Sequence, residues 1–415
     1  MVELVDTLDL GSSAARCESS SLSARTFKKL LKFEKLFLIF NNGQIEVSIF
    51  VVENFCIMNV EEFIPTKRFQ LIEKANISCI APSNIALIKY WGKKNVQIPS
   101  NPSISFTLNN CKTTTTITFQ NKTFKGFSFK VFLDGNLKDS FNLKIENFFN
   151  RIICYCPYLE FYDMRINTNN TFPHSSGIAS SASGFSALAM CIVQFELLLY
   201  ENISANYINR KASFLARLGS GSACRSIDGG LVVWGQHKDI KQSSDLFGIK
   251  FPYDVHPVFN DYQDTILIVD KNEKQVSSSI GHNLMYNHPF ASQRFNQANK
   301  NLSQLIPVLK SGDLFKFIKI IESEALTLHA MMMCSDPYFI LMKPNTINII
   351  NEIWDFRNST QIPVCFTLDA GANVHVLYPK SNALEVNKFI DNNLAKYCQD
   401  GQFINDHVGN GAGRI

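Results

Sequence analysis

Charge is scarce in this 415-residue sequence. Charged residues make up 18% and the formal net charge is only +4, too slight a field to argue for a nucleic-acid partner. Ordered cysteine patterns are lacking as well. Of the 11 cysteines, Cys154 and Cys156 are the single close pair, and no C-x-x-C spacing occurs. That excludes a patterned disulfide framework or zinc site and predicts reduced thiols in a cytoplasmic protein. Asn-x-Ser/Thr triplets such as Asn202-Ile203-Ser204 are then chance matches. No internal repeat, coiled coil or low-complexity linker is visible. The apolar stretch 37–52 is interrupted by Asn41-Asn42-Gly43-Gln44 and Glu46, too short and broken to cross a bilayer, so no membrane association is expected. What is present is a 46% hydrophobic chain, globular in composition and long enough for a large core in two lobes.

The first 57 residues stand apart. Residues 1–26 show no helical or strand period and no signal-peptide layout. The string Val2-Glu3-Leu4-Val5-Asp6-Thr7-Leu8-Asp9-Leu10-Gly11-Ser12-Ser13-Ala14-Ala15-Arg16 resembles the conceptual translation of a transfer-RNA gene. Residues 27–57 are rich in Phe, Lys, Ile and Asn, as translated A/T-rich intergenic DNA would be. The expectation is a native start at Met58; the rival is a real N-terminal extension. The remainder is expected to divide into lobes at 58–250 and 251–415.

Three stretches carry chemistry. In the first, Pro173-His174-Ser175-Ser176-Gly177-Ile178-Ala179-Ser180-Ser181-Ala182-Ser183-Gly184 follows a β-prone run at 164–168. It precedes a helical period at Phe185, Leu188, Ala189, Ile192 and Val193. A strand, a small-residue loop and a helix aim backbone N–H groups and the helix dipole at an anion. The loop reads equally as a serine-rich N-cap. It is not a Walker loop, because no Gly-Lys-Ser/Thr closes it. In the second, Ala81-Pro82-Ser83-Asn84-Ile85-Ala86-Leu87-Ile88-Lys89-Tyr90-Trp91-Gly92-Lys93 sets ammonium groups and a phenol where they suit a polyanion. Alternatively its lysines reach solvent from a buried strand end, and Trp91 packs in the core. In the third, Gly219-Ser220-Gly221-Ser222-Ala223-Cys224-Arg225-Ser226-Ile227-Asp228-Gly229-Gly230 surrounds an arginine with small hydroxyl residues. Arg225 is either a bidentate anion ligand or a solvent-facing residue after a glycine C-cap.

Elsewhere, 77–80, 127–133, 231–234, 264–270, 364–368 and 374–378 read as strands, and 103–108 with 113–119 as a hairpin turned by Asn109-Asn110-Cys111-Lys112. Helices are expected at 141–155, 205–218, within 289–330, at 345–356 and at 382–398. The strand at 364–368 ends in Asp369-Ala370-Gly371-Ala372-Asn373, where the aspartate is placed either for general-base work or for turn capping.

Taken together, Ser-Asn-Ile-Ala-Leu-Ile-Lys-Tyr-Trp-Gly-Lys, Gly-Ile-Ala-Ser-Ser-Ala-Ser-Gly, Gly-Ser-Gly-Ser-Ala-Cys-Arg-Ser and Asp-Ala-Gly-x-Asn resemble the diphosphomevalonate decarboxylase family of the GHMP kinase superfamily. The resemblance runs from about Ile77 to the C-terminus. It implies an α+β, two-lobed GHMP-kinase-like fold with a cleft between the lobes, ATP and Mg²⁺, mevalonate 5-diphosphate as the small-molecule substrate, and a homodimer. It casts Asp369 as the catalytic aspartate and Arg225 as the holder of the substrate carboxylate. Lys89, Tyr90, Ser220 and Ser222 become substrate ligands. Gly177, Ala179, Ser180, Ser181 and Ser183 cradle ATP phosphates, a serine of 277–279, Ser278 above all, faces the γ-phosphate, and Lys93 is a further anion candidate. The family's usual proline is replaced by Ala372, which is expected to loosen the turn that aims Asp369. Sibling activities, a phosphomevalonate decarboxylase or a mevalonate 3-kinase, and a non-enzymatic nucleotide-binding scaffold are the alternatives.

Overall fold

A computed structural model describes residues 38–41, 44–47, 60–65, 69–173, 178–200, 204–272 and 278–415. The chain divides into two compact units, Met1–Asn59 and Val60–Ile415. In the first, β1 (Leu38–Asn41) and β2 (Gln44–Val47) pair antiparallel; the rest of the N-terminal expectation lies outside the described residues.

The second unit begins with two long strands. β3 (Lys74–Ile88) leads through the short pair β4 (Lys93–Lys94) and β5 (Ile98–Pro99) into β6 (Ser103–Asn121). The hairpin expected within β6 does not form. Asn109 to Lys112 stay in the strand because the buried Asp406 carboxylate accepts the N–H groups of Asn109, Asn110 and Cys111 at 2.8, 2.8 and 2.7 Å. A register shift between Pro82 and Asn84 absorbs the irregularity on β3. β7 (Ser128–Leu133) turns at Asp134-Gly135, with Asp134 at φ 49° and Gly135 at φ 79°, into β8 (Asn136–Leu137). After α1 (Asn142–Ile152) comes β9 (Tyr162–Asn170), antiparallel to β6 and parallel to β7.

Two helices cover this sheet. α2 (Ser180–Leu199) is long and apolar enough to cross a membrane by length and composition, but 72% of its most apolar window is buried inside the protein. Its Phe195 stacks on Phe119 of β6 with centroids 3.8 Å apart. α3 (Ala205–Gly219) has its N-terminus capped by Ser204, which accepts the Tyr207 N–H. β10 (Leu231–Trp234) and β11 (Ile249–Lys250) complete that side of the sheet.

The second sheet has the order β13-β14-β12-β15, from β12 (Gln263–Leu267), β13 (Cys365–Leu368), β14 (Val374–Tyr378) and β15 (Phe403–His407). Between β12 and β13 lie α4 (Ser278–Asn283), α5 (Ala291–Ser311), α6 (Leu314–Met333) and α7 (Pro344–Thr360). The helix expected at 382–398 is broken: α8 (Ala383–Phe389) gives way to a wider turn at Ile390–Leu394 and then to 3₁₀ geometry. The glycine-rich tail returns to the first sheet as β16 (Gly413–Arg414), paired with Ile80 and Cys79 of β3. A continuous core runs from Ile85, Ile104 and Phe106 to Tyr262, Ile266, Leu305 and Phe317, so the facing elements of both sheets share it. The α+β, two-lobed expectation holds, with one amendment: the last strand belongs to the first sheet.

Asp406 is the polar pin between β15 and β6. Asp406→Ala removes the carboxylate acceptor of three N–H groups on β6 and of the His407 N–H and is expected to destabilise the protein by about 3 kcal/mol, with Asp406→Asn milder because its amide oxygen still accepts. Urea unfolding measures this; an unchanged midpoint in the alanine variant would show the pin to be dispensable.

Candidate active site

Lys89 and Asp369 meet although 280 residues separate them. Lys89 follows the last residue of β3 and Asp369 the last residue of β13, and Lys89 Nζ donates to Asp369 Oδ1 at 3.1 Å. Lys89 does not reach solvent: its residue is 1% exposed. Burial lowers its pKa, opposed by the Asp369 charge and hydrogen bond and by Glu324. Its backbone is equally held. The Lys89 N–H donates to Glu324 Oε2 at 2.9 Å, and its carbonyl accepts from Asn101 Nδ2 at 2.9 Å and Arg294 Nη2 at 3.3 Å. Glu324 in turn forms a two-pronged pair with Arg294, at 2.5 and 3.0 Å, and accepts from Asn301 at 2.6 Å.

Asp369 keeps its place through its backbone, whose carbonyl is 3.1 Å from His329 Nε2. The turn that follows, where Ala372 replaces the family's usual proline, is braced by two hydrogen bonds. Thr346 Oγ1 donates to the Ala372 carbonyl at 2.7 Å, and Asn373 Oδ1 accepts the Asp270 N–H at 2.9 Å. These two bonds fix from outside what a proline ring would fix from within.

Arg225 is buried, contrary to a solvent-facing reading. It sits in a 3₁₀ turn, Gly221–Ser226, after α3. Its Nη1 donates to Ser103 Oγ at 2.6 Å and its Nε to Ser105 Oγ. Those serines are two apart on β6, so both face the same side of the strand. Burial lowers the Arg225 pKa, and Cys224, Asp369 and Tyr90 partly offset it. Asp369 therefore lies in the field of two buried cations, which leaves the site with positive charge to spare for an anionic ligand.

The serine loops converge. Ser181 Oγ lies 3.5 Å from Ser220 Oγ, so the loop before α2 meets the turn that carries Arg225. Asn84 braces that turn, donating to Ser226 Oγ at 2.8 Å and the Ser222 carbonyl at 3.2 Å. Ser83 Oγ donates to the Ile178 carbonyl at 2.6 Å and ties β3 to the other loop. Gly221 is required by contact: a Cβ there would stand 2.8 Å from Trp234 and 2.9 Å from the Tyr90 hydroxyl. That hydroxyl is buried without a protein hydrogen-bond partner, and burial raises its pKa.

At the start of α2, Ala179 adopts φ 47°, ψ 39°, and its carbonyl accepts the Ala182 N–H at 2.7 Å, so the N–H groups of Ser180 and Ser181 are the ones that the helix itself does not satisfy. Ser181 is exposed and Ser180 half-buried, which suits phosphate oxygens. Ser183 does not belong with them. It is fully buried, and its hydroxyl is engaged with Thr113 Oγ1 at 2.7 Å and the Ser180 carbonyl at 3.3 Å; it packs α2 onto β6. Gly177 and the Ser278 side chain lie outside the described residues. Lys93, on β4, is half-buried and has its pKa lowered by burial and then by Arg151. Trp91 packs in a core cluster with Met285, Leu328 and Met332. Among the described residues, no group of three or more His, Cys, Asp or Glu side chains could hold a metal ion.

Several site residues escaped the sequence reading. Ser103 and Ser105 carried a usable signal, small hydroxyl residues at alternate strand positions. Glu324 and Arg294 carried none, lying on amphipathic helices like many other charged residues.

Known proteins match most of the chain. Residues 81–245 match the family model described as the diphosphomevalonate decarboxylase-like N-terminal domain, and 265–410 that of the mevalonate 5-diphosphate decarboxylase C-terminal domain. A diphosphomevalonate decarboxylase of Ganoderma lucidum is 27% identical over 351 residues, 79% of this chain and 84% of the relative. The solved structure of MDDEF in complex with MVAPP, AMPPCP and magnesium is 30% identical with a TM-score of 0.71, covering 82% of this chain and 99% of that one. Mevalonate diphosphate decarboxylase from Staphylococcus aureus is 28% identical with a TM-score of 0.71, covering 82% and 98%.

Among the described residues, Glu324 is the one carboxylate paired with the buried Arg294 guanidinium. Glu324→Gln is expected to cost about 3 kcal/mol of stability, because breaking one side of a buried pair strands the other charge. Chemical denaturation checks it; an unchanged unfolding free energy would mean that Arg294 is neutralised elsewhere.

Proposed function

The chain belongs to the diphosphomevalonate decarboxylase family, and we propose that its site carries out the family reaction: ATP and mevalonate 5-diphosphate give isopentenyl diphosphate, carbon dioxide, ADP and phosphate. The observation that carries this reading is the Asp369 carboxylate at a strand end, paired with buried Lys89 and facing the field of buried Arg225.

Asp369 orients the substrate's tertiary 3-hydroxyl and takes its proton as that oxygen attacks the γ-phosphorus of ATP. Lys89 aims the carboxylate through its hydrogen bond to Oδ1. Positioning and charge neutralisation supply most of the acceleration in such a transfer. The chain's own contribution to neutralisation comes from the Ser180 and Ser181 N–H groups at the start of α2, with the hydroxyls of the same residues. Magnesium enters with ATP as part of the nucleotide substrate and offsets phosphate charge. The transfer converts a poor leaving group into phosphate. As the C3–O bond breaks, positive charge develops at C3; the C–C bond to the carboxylate then supplies its electron pair to the new alkene and CO₂ leaves. Arg225 holds that carboxylate, and its rigid bonds to Ser103 and Ser105 prevent it from swinging onto Asp369. Tyr90, Ser220 and Ser222 receive the remaining anionic oxygens, the phenol of Tyr90 being an uncommitted donor.

The proposal extends to a reducing, cytoplasmic setting and to a homodimer. Nine described cysteines without disulfides support the first; the family resemblance supports the second.

The test follows ADP and CO₂ together, with the chain, ATP, Mg²⁺ and mevalonate 5-diphosphate. Equal yields are expected. ADP without CO₂ would make the protein a 3-kinase, and turnover of the 5-monophosphate alone would move it to the sibling decarboxylase.

A further inference from the structure

His282, on α4, makes contacts that the reaction described above does not use. Its ring centroid lies 4.2 Å from Tyr90 and 4.7 Å from Trp91, tilted by 34° and 38°, so the imidazole packs against two neighbouring rings of the Lys89–Lys93 stretch. Its Nδ1 accepts the Gly92 N–H at 2.9 Å. The preceding Gly281 lets the helix sit this close, since a Cβ there would be 2.5 Å from the Trp91 indole. Gly92 itself has φ +93°, a conformation that suits glycine, so its N–H points in a direction few residues could give it.

The far face of Tyr90 is fixed as well. It meets Trp234 edge-on at 4.6 Å, and its hydroxyl stands beside Gly221, between Ser220 and Ser222. Burial, then Lys93 and Arg225, lowers the His282 pKa to about 3. At neutral pH the ring is therefore uncharged, with the proton on Nε2 because Nδ1 is the acceptor. A neutral ring can lie beside Lys93 and Arg225 without repelling them and without competing with them for an anion.

We propose that His282 is a positioning residue for the anionic end of the substrate: by packing on Tyr90 and Trp91 and accepting the Gly92 N–H, it holds the Tyr90 hydroxyl at the Ser220–Ser222 turn. This rests on the functional reading above. It makes substrate affinity depend on a side chain that, on this reading, touches neither substrate nor ATP.

The test uses the full chain and two readouts, steady-state kinetics and calorimetric binding of mevalonate 5-diphosphate without turnover. His282→Leu removes the acceptor and the flat ring. It is expected to raise both KM and Kd for mevalonate 5-diphosphate about tenfold, with kcat and the KM for ATP within about threefold of the parent. His282→Asn places an amide oxygen near the position of Nδ1 and is expected to recover most of the loss. Tyr90→Phe should weaken binding similarly, and combining it with His282→Leu should add little, because both act through one hydroxyl. An unchanged KM and Kd in His282→Leu would overturn the inference, as would fully additive effects in the double variant. So would a fall in kcat and unfolding midpoint at constant KM, which marks a purely structural role. If His282→Leu fails to fold, the asparagine variant and the Tyr90→Phe comparison still decide. A parent protein that does not turn over mevalonate 5-diphosphate would overturn the functional reading instead, and the two failures remain distinct.

Discussion

The Lys89–Asp369 ion pair is the contact on which the rest of the site depends. Taking the Lys89 ammonium out of water costs several kcal/mol, whereas the Asp369 carboxylate keeps 27% of its side chain exposed on the side open to a ligand, so the pair stands only if other partners complete the shell of the lysine. Here the shell is completed around the backbone of Lys89 by Glu324, Asn101 and Arg294. Helices α5 and α6 thus hold the end of β3, while His329 and Thr346 hold the turn after β13. The pair joins the end of β3 to the end of β13, strands of different sheets, and fixes the direction of the carboxylate by a hydrogen bond. Arg225, anchored on Ser103 and Ser105, adds a second buried cation that is not consumed by that carboxylate. The two buried cations beside one carboxylate suit an anionic substrate.

Small residues make the remaining geometry possible. Ser181 and Ser220 approach to 3.5 Å, and Gly221 lies against both Trp234 and Tyr90. Side chains of ordinary size at these positions would separate the two loops, and with them the phosphates to be handled. The same economy explains Ala179, whose left-handed backbone turns the chain into α2.

Much of this was legible in the sequence, and the illegible part has physical causes. The strands at 231–234 and 374–378 and the helix after the serine loop follow from local period and composition, and they are where the pattern puts them. The motifs located Lys89, Arg225 and Asp369 but left each with a solvent-facing or capping alternative, because burial is a property of tertiary packing and not of spacing. The turn expected at Asn109–Lys112 failed for a related reason: a carboxylate nearly 300 residues later satisfies its N–H groups in extended form. Ser183 shows the opposite error. It sits inside a phosphate-loop motif, but helical geometry points it at Thr113 and into the core. Glu324 and His282 were invisible because their roles exist only once α4 and α6 dock on the end of β3.

The most direct test of the central claim is a rapid-quench measurement on Asp369→Asn, with ATP, Mg²⁺ and mevalonate 5-diphosphate, alongside calorimetric binding of the substrate. The amide preserves shape and can still accept from Lys89, but it cannot take a proton. Substrate binding within about threefold of the parent and a loss of ADP formation of about a thousandfold or more are expected. ADP and CO₂ released at the parental rate would contradict the assignment of Asp369 as the base.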